Sequence, residues 1–385
     1  MRILQICSNF AAGGIQRHAL DLGEWLRLRG HHVSFAGTPG KWMNEATDKD
    51  FFALDLFRVT EGGGRNVIMR FVHAIFSAVS LRRELKRRQV ELVHAHDTAP
   101  ALVARLATLG LGIPIILTYH GSEPERVGEF GRVGRMTAAR IITPSYRTAD
   151  ELRQYANVPN NKLSVIGLGI KPAAEIESKI IQQRRAELLG DNGAILVVTI
   201  ARLAPQKAID VLINVVGRVM AQRQDIRFVV VGDGPLEDDV RKWAVEAEVD
   251  SCLKFVGRSD KPYEYLKAGD LFMLTSNWEA LPITIVEAFR AGLPVIATDT
   301  GGVKELVDPS VGRVAQIADA EALAASVLEI SADENLRHEL SANALKRSKE
   351  DRFSPAHIHQ IFERTYASVL AETRPSQLSE PGNEV

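Results

Sequence analysis

Short apolar runs rich in β-branched residues alternate along this chain with longer segments whose apolar positions recur at helical spacing. Strands that each feed a helix build parallel sheets covered by helices on both faces. In the first half, Ile3–Cys7, His32–Ala36, Ala53–Phe57, Leu92–Ala95, Ile113–Thr118 and Arg140–Thr143 predict strands. Ile15–Arg29, Val67–Arg87, Ala99–Leu109 and Tyr146–Tyr155 predict helices between them. Lys162–Ile170 is expected as the last strand of this half. A second series predicts strands at Ile195–Thr199, Arg227–Val231, Leu253–Val256, Leu271–Leu274 and Pro294–Ala297, with helices at Ala208–Arg223, Leu236–Glu248 and Thr284–Ala291. After Gly312 the chain is expected to be helical to about Ala371. Thr373–Val385 has Pro, Ser, Gly and Asn but no apolar period, and is expected to be disordered.

The pattern therefore predicts an α/β protein of two doubly wound, Rossmann-like domains with parallel sheets. The expected boundaries are residues 1–170 and 193–353, with a polar joint and helix over 171–192. Residues 354–372 are expected as a C-terminal helix packing back toward the first domain. A length of 385 residues is more than one core usually serves, which agrees. Ligands of such sheets bind at the carboxyl ends of the strands.

Hydrophobic content of 45% and charged content of 25% describe an ordinary soluble globular protein. The N-terminus has no long apolar core, and the chain has no uninterrupted apolar stretch of about twenty residues, so neither a signal peptide nor a membrane span is expected. Cys7 and Cys252, far apart in sequence, are expected as reduced, buried thiols of a cytoplasmic protein. The net charge of −1 conceals an asymmetry: residues 1–170 hold 22 Lys/Arg against 15 Asp/Glu, and residues 171–385 hold 25 against 33. A basic first half suggests an anionic partner. Its densest run, Arg82-Arg83-Glu84-Leu85-Lys86-Arg87-Arg88, reads first as the solvated C-terminus of a helix and second as an attractor of anionic lipid headgroups. No aromatics interleave with it, which argues against nucleic acid as a partner.

Three glycine-bearing turns are candidates for phosphate chemistry: Asn9-Phe10-Ala11-Ala12-Gly13-Gly14, Gly232-Asp233-Gly234-Pro235 and Gly301-Gly302. Bare amides at a helix start attract anions, and glycine admits close approach. Neither of the first two completes the dinucleotide fingerprint; in the Gly232 turn, Glu237 stands where the third glycine belongs. Pro235 is expected at a first helical position. Arg202 and Lys207 follow a strand on one turn, where two cations could grip a diphosphate or merely face solvent. In Glu279-Ala280-Leu281-Pro282-Ile283-Thr284-Ile285-Val286-Glu287, Pro282 frees the amides of Ile283 and Thr284 at a helix start. Glu287, inside an apolar segment, needs partners if buried, and sugar hydroxyls would serve. His94-Ala95-His96-Asp97 is read as cleft-lining or structural histidines rather than a metal site. Asp48-Lys49-Asp50, a candidate metal-clamping Asp-x-Asp, lies in a polar segment and is read as solvent-facing.

Taken together and in order, Gly13-Gly14-Ile15-Gln16-Arg17, Thr118-Tyr119-His120-Gly121, Arg202 with Lys207, Gly232-Asp233-Gly234-Pro235, Phe255-Val256-Gly257, the pair Glu279 and Glu287, and Gly301-Gly302-Val303-x-Glu305 resemble retaining glycosyltransferase family 4. The resemblance covers the chain to about residue 371. It implies a GT-B fold, two Rossmann-like domains facing each other across a cleft, that holds a nucleotide-diphosphate sugar as substrate, with no metal and no cofactor. It implies that Gly14 offers its amide to the diphosphate, that Arg202 and Lys207 neutralise it, and that the amides of Ile283 and Thr284 hold a phosphate. Glu279 would bind hydroxyls of the transferred sugar, Glu287 the ribose hydroxyls, the backbone near Val256 the base, and His120 would lie beneath the sugar. The implied acceptor is a saccharide or lipid-linked saccharide of cell-surface polysaccharide or glycolipid biosynthesis, handled in the cytoplasm, with peripheral contact to an anionic membrane. Ala208 and Ala280 stand where the family commonly has glycine. Two rival expectations are another GT-B sugar-nucleotide enzyme, such as a non-hydrolysing epimerase, and a catalytically silent sugar-nucleotide-binding paralogue.

Overall fold

The computed structural model describes residues 1–11, 13–40, 50–56, 67–190 and 195–373. The chain runs β1 (Arg2–Asn9), α1 (Gly14–Leu28), β2 (His32–Thr38), β3 (Phe51–Ala53), α2 (Val67–Arg87), β4 (Leu92–Ala95), α3 (Thr98–Thr108), β5 (Ile115–Thr118), α4 (Val127–Thr137), β6 (Arg140–Thr143), α5 (Tyr146–Ala156) and β7 (Leu163–Val165). It continues through α6 (Ser178–Leu189), β8 (Ile195–Ile200), α7 (Ile209–Met220), β9 (Ile226–Val231), α8 (Glu237–Glu246), β10 (Leu253–Phe255), α9 (Pro262–Ala268), β11 (Leu271–Leu274), α10 (Ile283–Ala291), β12 (Val295–Thr298), α11 (Val303–Leu306), β13 (Gly312–Ala315), α12 (Ala320–Ala332), α13 (Glu334–Arg347) and α14 (Pro355–Thr373).

The elements divide into two compact units. The first comprises Met1–His120, Pro124–Gly169 and the chain from Pro355; the second comprises Gly121–Glu123 and Ile170–Ser354. The first unit holds a parallel sheet of order β3-β2-β1-β4-β5-β6-β7. Its central strands are buried on both faces, as parallel sheets require, so β4, β5 and β6 read as near-continuous apolar runs. Helix α14 belongs to this unit: Ile358, Phe362, Tyr366 and Val369 enter the core that contains Leu22, Leu26 and Ile142. Glu363 fastens its surface to Arg29 (3.1 Å) and His31 (2.7 Å).

The second unit holds a parallel sheet of order β10-β9-β8-β11-β12-β13. Residues 171–192, expected as a joint and helix, contain α6, whose Leu188 is buried against this sheet. The region after Gly312 corrects the expectation of unbroken helix: Gly312–Ala315 is an edge strand, in parallel register from Val295↔Gly312 to Thr298↔Ala315. Four residues with a single β-branched side chain are too few to display a period. What recruits them is the edge of β12, where a Cβ on Gly312 would sit 1.9 Å from the Val295 carbonyl oxygen. The strand expected at Ala53–Phe57 lies two residues earlier, at Phe51–Ala53, and Phe57 is outside the described residues, as are residues 374–385.

Helix α4 contains Gly128, Gly131 and Gly134, each unfavourable by about 1 kcal/mol relative to Ala in a helix interior. Packing reverses that preference. A Cβ on Gly131 would meet Ala156 Cβ at 2.3 Å, and one on Gly134 would meet Ile141 Cδ1 at 2.6 Å. Cys7 and Cys252 are buried free thiols, and burial raises the pKa of each.

Candidate active site

In the second sheet the strand order reverses between β8 and β11. At such a point the loops leaving two neighbouring strands diverge, and their carboxyl ends are open to a ligand. The loop after β8 bears Arg202 and Lys207; the loop after β11 bears Glu279. Lys207 closes a 3₁₀ turn, Pro205–Lys207, and Ala208 then takes left-handed backbone (φ 46°) before α7 begins. Glycine is the residue suited to that conformation, so Ala208 holds it at a cost. Thr275 secures the turn, its hydroxyl donating to the carbonyls of Lys207 (3.0 Å) and Ala208 (3.1 Å). Lys207 Nζ forms a hydrogen-bonded ion pair with Glu279 Oε1, and Ser276 Oγ donates to the same oxygen at 2.7 Å. The two side chains are 17% and 8% exposed. Two residues that the sequence shows separately are thus one part-buried pair.

The two other glycine turns of this unit support the loops rather than form bare cradles. A Cβ on Gly232 (φ 148°) would lie 1.9 Å from the Ala201 carbonyl oxygen, and one on Gly234 would lie 2.3 Å from that of Leu203. Leu203 N–H donates to Asp233 O (2.8 Å), so the turn braces the segment bearing Arg202. Helix α8 begins at Glu237, so Pro235 precedes the helix instead of occupying its first position. Gly301 (φ 45°) lies under Glu279, whose carbonyl oxygen a Cβ would meet at 2.0 Å. Gly301→Ala is therefore expected to cost about 1–3 kcal/mol of stability from backbone strain alone. Thermal melts would read this as a lowered transition; an unchanged one would show that the loop adjusts freely.

The loops leaving β8 and β11, and the helix that follows the second, also carry groups with no partner among the described residues. Arg202 is exposed, and its side chain forms no hydrogen bond or ion pair among the described residues. Helix α10 starts after Pro282 without a side-chain cap or an acidic residue in its first turn, and its first turn closes through Ile285 N–H to Pro282 O at 3.2 Å. The amides of Ile283 and Thr284 consequently point out of the helix start without an acceptor among the described residues. Just past that turn, Glu287 is largely buried. Burial pushes its carboxyl up to about 7, and nearby Arg290 opposes the shift only in part. Its side chain makes no hydrogen bond among the described residues. Val256 lies after β10, its N–H given to Val230 O (3.1 Å), and Gly257 O accepts from Gly232 (2.9 Å), which fixes this backbone beside the β9 turn.

The first sheet reverses between β1 and β4, and the remaining candidates gather at the ends of β1, β4 and β5. Gly13 is the extended N-cap of α1 with no side-chain cap, so the amides of Gly14 and Ile15 have no acceptor among the described residues. Gln16 steadies this loop by donating to Asn9 O (3.1 Å). His94 on β4 and His96 just past it have ring centroids 4.1 Å apart. Asp97 caps α3, accepting from Thr98 N–H (2.6 Å) and Ser8 Oγ (3.1 Å). His120, two residues past β5, meets His96 with Nε2 and Nδ1 3.2 Å apart. Burial lowers its pKa to about 4, so the ring is neutral near pH 7. Of Asp48-Lys49-Asp50, the first two residues lie outside the described residues, and Asp50 pairs with Arg27 at 3.1 Å.

Sequence reasoning missed Thr275 and Ser276, which orient Lys207 and Glu279, and the buried Gln5, His18 and Tyr366 near His96. Gln5 did leave a signal, a polar residue within the apolar strand Ile3-Leu4-Gln5-Ile6. Tyr366 left none, since an aromatic at helical spacing reads as ordinary core.

Two doubly wound parallel units of this kind are the GT-B glycosyltransferase architecture. HepE of Anabaena, in complex with UDP and glucose, matches the fold with a TM-score of 0.78 at 19% identity, over 96% of this chain and 100% of that one. The family model for Glycosyltransferase Family 4 matches residues 12–174, and that for glycosyl transferases group 1 matches residues 180–347. The chain belongs to this glycosyltransferase family. It is similar to N-acetyl-alpha-D-glucosaminyl L-malate synthase of Bacillus anthracis, 22% identical over 380 residues, 96% of this chain and 97% of the relative. It is also similar to phosphatidyl-myo-inositol mannosyltransferase of Mycolicibacterium smegmatis, 25% identical over 364 residues, 90% of this chain and 89% of the relative.

Proposed function

We propose that the protein transfers a sugar, with retention and without a metal, from a nucleoside diphosphate to a saccharide or lipid-linked saccharide in surface polysaccharide or glycolipid synthesis. The observation that carries this reading is the second unit's switch point, where the loops leaving β8 and β11 bear one part-buried Lys–Glu pair and, without a partner among the described residues, the Arg202 side chain and two helix-start amides. Lys207, Arg202 and the amides of Ile283 and Thr284 neutralise a departing diphosphate, the charge that develops as the bond from the sugar's anomeric carbon to phosphate breaks. The acceptor hydroxyl forms the new bond on the same face and gives its proton to the leaving phosphate oxygen. Glu279, held by Lys207 and Ser276, accepts from hydroxyls of the transferred sugar. Glu287 accepts from the ribose, and the Val256 backbone borders the base. On the first unit, Gly14 offers an amide to phosphate and His120 a neutral ring to a sugar hydroxyl. The UDP and glucose bound by the Anabaena protein, and the acceptor in the Mycolicibacterium relative's name, support a nucleotide-sugar donor and a lipid-linked acceptor.

Incubation with UDP-, GDP- and ADP-sugars and a lipid-linked saccharide extract is expected to give a glycosylated product. Each nucleoside diphosphate that binds should also raise the melting temperature. Epimerised donor with no transfer, or binding with no chemistry, would overturn the assignment.

The same reading places the first unit at the inner face of an anionic membrane. No helix among the described residues is long and apolar enough to cross a membrane. Helix α2 nevertheless exposes Phe71 (61%) and Phe76 (71%), together with Met69, Ile75 and Val79. Arg83 and Lys86, one and two turns on from Val79, are exposed without ion-pair partners among the described residues. The rest of the basic run is largely committed, Arg82 to the Ala107 and Leu109 carbonyls and Arg87 and Arg88 to Glu84. Exposed aromatics followed by free cations suit an interfacial helix. Cosedimentation with phosphatidylglycerol vesicles is expected, and Phe71→Ser with Phe76→Ser should weaken it at least about tenfold. Equal binding of both proteins would remove α2 from the interface.

A further inference from the structure

Six side chains of the first unit form one unbroken hydrogen-bonded chain. Thr118 Oγ1 meets His94 Nε2 at 2.6 Å, and His94 Nδ1 meets Tyr366 Oη at 2.5 Å. Gln5 Nε2 donates to the same Tyr366 oxygen at 3.2 Å. Gln5 Oε1 meets His96 Nε2 at 2.7 Å, and His96 Nδ1 meets His120 Nε2 at 3.2 Å. Thr118, His94, Tyr366 and Gln5 come from β5, β4, α14 and β1, and His96 and His120 lie just past β4 and β5. All are fully buried except His120, the partly exposed end of the chain.

A neutral imidazole has one nitrogen that donates and one that accepts. Burial keeps His94, His96 and His120 neutral and the Tyr366 phenol protonated. Each proton in the chain is therefore fixed by its neighbour, and the Gln5 amide sets the direction for all of them. The 2.7 Å separation from His96 suits an N–H···O contact, which places the amide oxygen on that side. His96 must then carry its proton on Nε2 and accept at Nδ1, so His120 donates from Nε2. In the other direction, Tyr366 O–H donates to His94 Nδ1, and His94 Nε2–H donates to Thr118. His120 Nδ1 is left as a lone pair with no partner among the described residues. Reversing the amide would reverse every donor and leave an N–H at that position instead.

We propose that Tyr366, Gln5 and His96 are positioning residues that hold His120 in its Nε2–H tautomer, so that it presents Nδ1 as an acceptor for a substrate hydroxyl and not as a donor to phosphate. The proposal rests on the glycosyltransferase reading for its ligand, but not for its proton arrangement. The C-terminal helix thereby acts on the site through a proton order rather than through direct contact.

Long-range ¹H–¹⁵N spectra of the full-length, histidine-labelled protein test this without any substrate. The expected result is a protonated Nε2 and a bare Nδ1 at His120. Tyr366→Phe takes away the acceptor for the Gln5 amide and should shift the His120 nitrogens toward an averaged pair. In the transfer assay it should lower kcat about tenfold, as loss of an orienting partner commonly does, with KM for the nucleotide sugar within about twofold. Phe362→Leu, on the same helix and packed beside His94 and His18, removes contact but no hydrogen bond and should leave the tautomer as it was. A proton on Nδ1 in the unaltered protein, or unmoved His120 signals in Tyr366→Phe, would overturn the relay. A fixed tautomer that Tyr366→Phe disturbs, in a protein that transfers no sugar, would support the relay and overturn the functional reading instead.

Discussion

Lys207→Met is expected to lower kcat by about 10²–10³-fold, the range seen when one preorganised group facing developing charge is removed. The same substitution breaks a partly buried ion pair, because Glu279 loses its cation while only 8% exposed. Removing one partner of a fully buried pair costs about 3–5 kcal/mol, chiefly because the other charge is left uncompensated; this pair is partly buried, so the loss is smaller. Loss of activity could therefore reflect loss of fold, and the double variant separates the two. Lys207→Met with Glu279→Gln leaves no stranded charge, so it should unfold at higher urea than Lys207→Met alone while remaining as inactive. The ion pair also explains how the site stands ready without a ligand: Lys207 and Ser276 hold the carboxylate in place before any sugar arrives. Turnover within tenfold of normal in the folded double variant would remove both residues from the chemistry.

Glu287→Gln should have opposite effects on stability and on binding. Burial raises this carboxyl from the ordinary 4.5 to about 7. An acid whose folded pKa lies above its unfolded one binds more protons when folded. Its contribution is thus fully present below about pH 4.5 and is lost as pH rises through 7, on the order of 3 kcal/mol in all. Glutamine has no proton to lose, so the variant should gain on the unaltered protein between pH 5 and pH 8 and be the more stable at pH 8. Its donor binding should be weaker, because the ionised carboxylate is the stronger acceptor for ribose hydroxyls. For the unaltered protein, KM for the nucleotide sugar should fall as pH rises from 6 to 8; for Glu287→Gln it should stay flat. Melts at the two pH values check the first expectation and KM profiles the second. Parallel stability curves for the two proteins would show that the residue is not desolvated in solution. A destabilising group retained at a binding site is a common trade of stability for function.

The positions of the site loops were legible because their signals are local. Alternation of apolar runs with helical periods marks each βα unit, so Arg202, Lys207, Glu279 and Glu287 could be placed at strand ends and on a helix start without coordinates. Their order along the chain also carried the family resemblance. What was illegible is of two kinds. Helix α4 and strand β13 have sequences that argue against them, three glycines in the one and four nondescript residues in the other. They exist because a close neighbour needs the missing Cβ, as Ala156 does at Gly131 and Val295 does at Gly312. The second kind is partnership. Lys207 and Glu279 are 72 residues apart, and Gln5 and Tyr366 are 361 apart, distances over which no periodicity communicates.

By itself, then, the sequence determined the repeating units, their parallel arrangement and the chemistry available at their ends, since each follows from backbone preference and the spacing of apolar side chains within one or two turns. The tertiary structure alone decided which charges are paired and which are free. It joined Lys207 to Glu279, left Arg202 and the α10 amides open, and brought a tyrosine from the last helix to order the protons of three histidines. Such choices depend on desolvation and on contacts between segments remote in the chain, and both come into being only when the chain closes on itself.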